Sequence, residues 1–344
     1  MHRSYVSWIT LFLVLTLVAP LTGSGVAAQT GTSLAPEEFA RVDFSLTKNL
    51  DAATAQTEEP YRYFLFSIGA QAAAGEFNSP TGVAVAPDGS VYVADTRNHR
   101  IQHFGATGIL LNNWGSLGSG DGQFNTPSDV TVAPDGTVYV ADTENHRVQR
   151  FSATGRYLDQ WGSYGSDNGE FDRPYGMAVA TDGTIYVADI LNHRIQYFDA
   201  TGSYLGQWGI PGSDNGQFNL PCGVAVSSEG IVYVADTQNN RIQRFSATGD
   251  YLGQWGDRGS GNGQFNRPYG VEVAVNGTVY VADTWNYRIQ RFTAAGEYLG
   301  EWEGADGEFA LPDGISIAPD NTVYVIYRYG NRVRYFSATG DYHG

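Results

Sequence analysis

Few groups in this chain could carry chemistry, and some of them repeat. His99, His146 and His193 recur every 47 residues, and regularly spaced imidazoles raise the question of a metal. A zinc site needs its ligands to converge within ~2.0–2.1 Å of one ion. Side chains that recur once per structural unit fan apart, so these histidines read as scaffold. Groups that break a pattern are better candidates, because a reactive centre needs only one copy. Glu272 stands where equivalent positions carry Ala84, Thr131, Ala178, Ala225 and Ser316. A lone carboxylate in an interior is costly unless it is wet, paired or bound to a cation. The plainer expectation for Glu272 is a solvated channel carboxylate with no cofactor; if a metal binds, calcium or another divalent cation, Glu272 is the residue that would hold it. Asp129 replaces a glycine found in the other units. After the repeated prolines comes a ring of Thr81, Ser128, Tyr175, Cys222, Tyr269 and Asp313. Tyr269, Trp285, Tyr287, Tyr327 and Tyr329 fall in two successive units. With Tyr175, Asp129 and Asp313 they form a set of aromatics and acids suited to stacking on sugars or gripping a peptide. No nucleophile–base pair is evident, and no catalytic residue is assigned.

The elements that must position these groups are set by the repeat. Tyr-Val-Ala-Asp ends at Asp95, Asp142, Asp189, Asp236 and Asp283, and a sixth copy puts Tyr327 where aspartate is expected. That last unit is shortened between Trp302 and Phe309. Each unit reads as four strands rich in β-branched and aromatic residues. In the second unit they are Val130–Val132, Val138–Ala141, Arg147–Phe151 and Tyr157–Trp161. Pro134-Asp135-Gly136 and Ala153-Thr154-Gly155 supply the tight turns between them. Four antiparallel strands per repeat, six times over, predict an all-β, six-bladed β-propeller over residues 61–344. Residues 61–68 match the fourth-strand pattern missing from the last unit. They are expected to pair with it near Arg332 to Phe336 and close the ring, removing an exposed edge. Asp95 and Arg100, with their equivalents, are expected to face one another as scaffold. Asn98 and its equivalents are expected to take positive φ in the same turn. The connections between blades and the turns between second and third strands emerge on one face, which carries the long loops. Binding residues usually lie on such loops.

Outside the repeat, residues 1–28 read as a signal peptide: Arg3, an apolar core from Val6 to Val18, then Val26-Ala27-Ala28. Residues 29–60 read as a flexible tether. The chain is expected outside the cell or at its surface, with membrane insertion only if the apolar segment stays uncleaved. The net charge of −16, with Lys48 the only lysine, argues against a nucleic-acid partner. Cys222 is the single cysteine, so no internal disulfide forms.

The run Asp-Thr-x-Asn-His-Arg-Ile/Val-Gln-x-Phe, at Asp95–Phe104 and Asp142–Phe151 with near-copies in the next three units, resembles the NHL repeat. The resemblance covers residues 61–344 and implies the propeller. For function it implies several things at once, since the family includes RNA-binding modules, extracellular sensor domains and a zinc-dependent lyase. Fold does not choose among them. The leading expectation is a secreted, non-enzymatic module engaging a protein, peptide or glycan. The alternatives are a metal-dependent lyase or lactonase-like enzyme with a cation in the channel, and a cell-surface structural component.

Overall fold

The computed structural model describes residues 75–303 and 311–344. The expected signal, tether and closing strand at 61–68 lie outside the described residues. Blade one consists of Gly82–Val85, Val91–Asp95, Arg100–Phe104 and Leu110–Trp114, each antiparallel to the next. Four further blades repeat this order from inner strands Pro127–Val132, Pro174–Val179, Pro221–Val226 and Val271–Val273. Blade six contributes Pro312–Ile317, Val323–Tyr327 and Arg332–Phe336. Inner strands touch in sequence around the ring, and blade six returns to blade one. Part of the Arg332–Phe336 edge is paired among the described residues. Tyr342 bridges Phe336, and the His343 N–H donates to the Tyr335 carbonyl at 3.0 Å. The chain's own last residues thus take the Tyr335–Phe336 part of that edge.

The second strand of each blade, Val-Tyr-Val-Ala-Asp in most, is buried at every position because both its faces meet neighbouring blades. The apolar core is therefore six separate cores, one per interface. Val91, Val93 and Phe104 meet Tyr324, Ile326 and Val333 across the seam between blades one and six. In blades one to five the second-strand tyrosine spends its hydroxyl on the next blade: Tyr92 donates to the Ala153 carbonyl at 2.9 Å, Tyr139 to Ala200 at 3.0 Å. Gly155, at φ 79°, sits under the Trp114 ring of the preceding blade, where a side chain would collide. Gly176, Gly223, Gly270 and Gly314 lie so close to the main chain of the next inner strand that a Cβ would overlap its carbonyl oxygen. Together they form a main-chain collar around the channel.

A buried polar knot fixes each long loop. Asp189 Oδ1 accepts the Asp172 N–H at 2.8 Å. Its Oδ2 accepts from Asn192 Nδ2 at 2.9 Å, Arg194 Nε at 2.7 Å and Gln196 Nε2 at 3.2 Å. Arg194 in turn donates to the carbonyls of Ser166, Asp167 and Glu170 in the loop. The same aspartate–arginine pairs close at 2.7–2.8 Å in blades one, two, four and five. The expected scaffold pairing holds. The expected positive φ at the asparagines does not: it falls one residue later, at His99, His146, His193, Asn240, Tyr287 and Asn331. The asparagine amide is needed as a donor to the aspartate, so the next residue takes the left-handed turn. Its side chain then reaches the following blade, His99 Nδ1 accepting the Thr126 N–H at 3.0 Å and Asn331 Oδ1 accepting that of Ser79 at 2.7 Å.

Removing one partner of a buried ion pair strands the other's donors. Asp189→Ala is expected to lower unfolding stability by about 3–5 kcal/mol in urea titrations. A loss under about 1 kcal/mol, the size of an exposed pair, would show that the knot is not what holds the loop.

Candidate functional site

The six inner strands enclose a channel with two compartments. At the long-loop end a cavity of about 80 Å³ is lined by Thr81, Ser128, Asp129, Tyr175, Tyr269 and Asp313 among others. Arg328 closes it. This residue sits in the turn after Val323–Tyr327, in the slot held elsewhere by Thr96, Thr143, Ile190, Thr237 and Thr284. The threonines reach no farther than the next blade, Thr143 Oγ1 donating to the Pro174 carbonyl at 2.8 Å and Thr284 Oγ1 to Ala282 of its own blade at 3.2 Å. Arg328 pairs instead with Asp313 at 2.6 Å and donates to the Tyr175 hydroxyl at 2.5 Å. Its guanidinium lies 5.8 Å from the centre of the Tyr269 ring, and Tyr269 meets Tyr175 edge to face at 6.4 Å. Blades three and six stand three steps apart on a ring of six, so Arg328 bridges the mouth from one side to the other. Reading by single residues passed over it. The signal was available, since one arginine in a slot of threonines is a departure as clear as Trp285.

Two carboxylates sit deeper. Asp129 accepts the Val130 N–H at 2.9 Å and, from blade three, the Met177 N–H at 2.8 Å. Burial pushes its pKa up to about 8 against those hydrogen bonds, with Glu272 and Asp313 adding to the rise. Glu272 accepts only the Val273 N–H, at 3.0 Å, and burial raises it to about 7. Asp129 is therefore both a channel acid and a tie between two inner strands. Among the described residues, no group of three or more histidine, cysteine, aspartate or glutamate side chains is placed to hold a metal ion.

The aromatic set divides. Tyr175 and Tyr269 turn inward at the mouth. Trp285, Tyr287 and Tyr329 stand at the surface, 44%, 36% and 66% exposed. Arg267 lays its guanidinium 4.9 Å from the Trp285 ring centre. Tyr327 does not join them. It is buried in the core between blades five and six, filling the place of the missing aspartate, with Arg334 over its ring at 5.5 Å. Cys222 is buried, and desolvation pushes its thiol up to about 12, which leaves it inert.

The model of the NHL repeat matches residues 77–104, 124–151, 218–245 and 265–292. The chain is an NHL-repeat protein. Each matched segment runs from the loop phenylalanine to the end of the third strand and contains the aspartate, asparagine, arginine and glutamine side chains of the polar knot. Blade three keeps the knot without matching, while blade six has lost it. Solved structures similar to this NHL propeller include an inactive virginiamycin B lyase from Staphylococcus aureus bound to quinupristin, with TM-score 0.57 and 18% identity over 76% of this chain and 82% of that one. A gluconolactonase from Xanthomonas campestris is also similar, with TM-score 0.58 and 14% identity over 74% and 84%. A nidogen/laminin complex matches with TM-score 0.53 and 16% identity over 69% and 84%. At these identities the likeness is one of fold. No curated protein matches the NHL-repeat chain in sequence. Among the described residues no helix is long and apolar enough to cross a membrane.

Raised carboxylate pKa values make a signed prediction. A carboxyl whose folded pKa exceeds its unfolded value contributes stability at low pH and loses it as pH rises through the folded pKa. For Glu272 that window runs from its ordinary 4.5 to about 7. Glu272→Gln should match the native protein near about pH 4 and exceed its melting temperature at about pH 9. Equal melting temperatures at the higher pH would show that the ionised carboxylate is already compensated.

Proposed function

We propose that this NHL propeller is a secreted, non-enzymatic binding module that engages a protein, peptide or glycan on its long-loop face. The observation that carries the reading is the exposed aromatic platform on blades five and six, Trp285 braced by Arg267 with Tyr287 and Tyr329 nearby. Flat aromatic surfaces lose little conformational entropy on binding and supply large contact area. The turn that carries Trp285 and Tyr287 is held by a polar knot, so that part of the platform is pre-organised. The reactive groups favour binding over catalysis. The one thiol is buried, and the imidazoles of His99, His146 and His193 are spent on backbone N–H groups of the next blade.

A second reading rests on Asp129 and Glu272, whose pKa values of about 8 and about 7 suit proton transfer near neutrality. It would make the channel the centre of a lyase or lactonase-like enzyme. One screen separates the two. The chain from Gln29 onward is applied to peptide and glycan arrays beside Trp285→Ala and Tyr329→Ala, and the same preparation is assayed on simple lactones. A hit weakened at least tenfold by either substitution supports the platform. Lactone turnover lost in Glu272→Gln, with no array hit, replaces it with the channel enzyme. Export is checked separately, by finding the chain outside the cell with Gln29 as its first residue.

A further inference from the structure

The other end of the channel differs in character from the mouth under Arg328. Below the collar a cavity of about 340 Å³ opens between the tight turns, past Pro87, Pro134 and Pro319. Its wall takes one apolar side chain from every blade: Val85, Val132, Val179, Val226, Val273 and Ile317. All six are half-buried, packing on one side against the apolar seams between blades while lining the cavity. Glu272 borders both compartments and is the one carboxylate lining this one. No cation among the described residues answers it: its environment is desolvation and a single backbone hydrogen bond. The hydroxyls of Thr131 and Ser316 line the same cavity.

We propose that the tight-turn end of the channel binds a primary ammonium group carried on a short alkyl chain, with Glu272 as its counter-ion. The charge of the site selects a cation, and the apolar ring selects a cation with an apolar stem. A calcium ion takes 6–8 converging oxygen ligands, and no second carboxylate lines this cavity beside Glu272 to join the side-chain oxygens of Thr131, Thr181, Ser316 and Asn321. A guanidinium is matched by a carboxylate with both oxygens free for a fork. Glu272 already accepts the Val273 N–H on one oxygen, which leaves less room for a bidentate fork than for a single compact ammonium. Its three donors find the remaining carboxylate oxygen and the Thr131 and Ser316 hydroxyls, while the chain lies along the valine ring. Ser316 Oγ accepts the Val85 N–H at 3.0 Å and keeps a lone pair for this use. The inference is independent of the aromatic platform, which lies on the opposite face.

The test is calorimetric titration of the full chain with n-butylammonium, n-butanol and calcium chloride, and with a capped tripeptide bearing a central lysine. Binding of n-butylammonium at one site per chain is expected, with at least tenfold weaker response to n-butanol. Affinity should fall at least tenfold in Glu272→Gln and rise with pH as Glu272 gives up its proton. Binding of the lysine peptide as well would name a protein side chain as the source of the ammonium; binding of the free amine alone would name a small molecule. Absence of n-butylammonium binding, an unchanged affinity in Glu272→Gln, or calcium binding more tightly than the amine would each overturn the proposal. Val273→Asp adds a second check, because charging the apolar ring should bring calcium affinity up and reduce the advantage of butylammonium over methylammonium. An unchanged preference between those two amines in that variant would also count against the apolar wall.

Discussion

A single buried oxygen organises most of this molecule. The Oδ2 atom closing the second strand of blades one to five collects an arginine Nε, an asparagine amide and a glutamine amide. The arginine and glutamine then reach the carbonyls of the incoming loop. A loop of a dozen residues with little apolar content would otherwise have weak reason to hold one shape. A charge with no access to water supplies that reason, since leaving any of its donors unmet is far costlier than ordering the loop. The carboxylate thus converts a connection between blades into a rigid surface from which unrepeated residues can project.

Blade six shows the effect of losing that carboxylate. Tyr327 fills the space with an aromatic ring, Gly330 stands in the asparagine slot, and Arg334 replaces the glutamine and turns toward Tyr327. The connection leading into this blade is also the one that the sequence shortens. Freed from the knot, the turn carries Arg328 inward over the channel, where it finds Asp313 and the tyrosine hydroxyl of the facing blade. The departure from the repeat and the most distinctive charged contact of the channel are therefore one event seen in two places.

Much of this was legible beforehand because repetition amplifies weak signals. The strands of blade two agree with the sequence reading to within a residue or so, apart from the early start of the inner strand at Pro127. The aspartate–arginine pairing could be read from spacing alone, since the two residues flank one turn. What escaped depended on direction in space. Tyr327 and Tyr329 are two residues apart, yet one is buried and the other is 66% exposed. Nothing in their types separates them, and only the loss of the aspartate shows which must turn inward. The positive φ was misplaced by one residue because asparagine tolerates it best in isolation, whereas here its amide is required elsewhere. Arg328 was missed because its pairing across the mouth depends on Tyr175, which is distant in sequence and meets it only when the ring closes.

The glycine collar has a meaning for how such a ring can specialise. Where main chain presses on main chain, the bore is set by backbone geometry, and side-chain substitution has little room to tune it. Asp129 is accommodated at that level in blade two because its carboxylate takes up two N–H groups of the collar itself. Discrimination between molecules must then fall to positions just above and just below the waist, where one blade can change without disturbing five. Arg328, paired with Asp313 at the mouth, and Glu272, which borders both compartments without a cation, are such solitary changes. A sixfold object thereby acquires two different ends, one crossed by an ion pair and one bordered by a lone carboxylate.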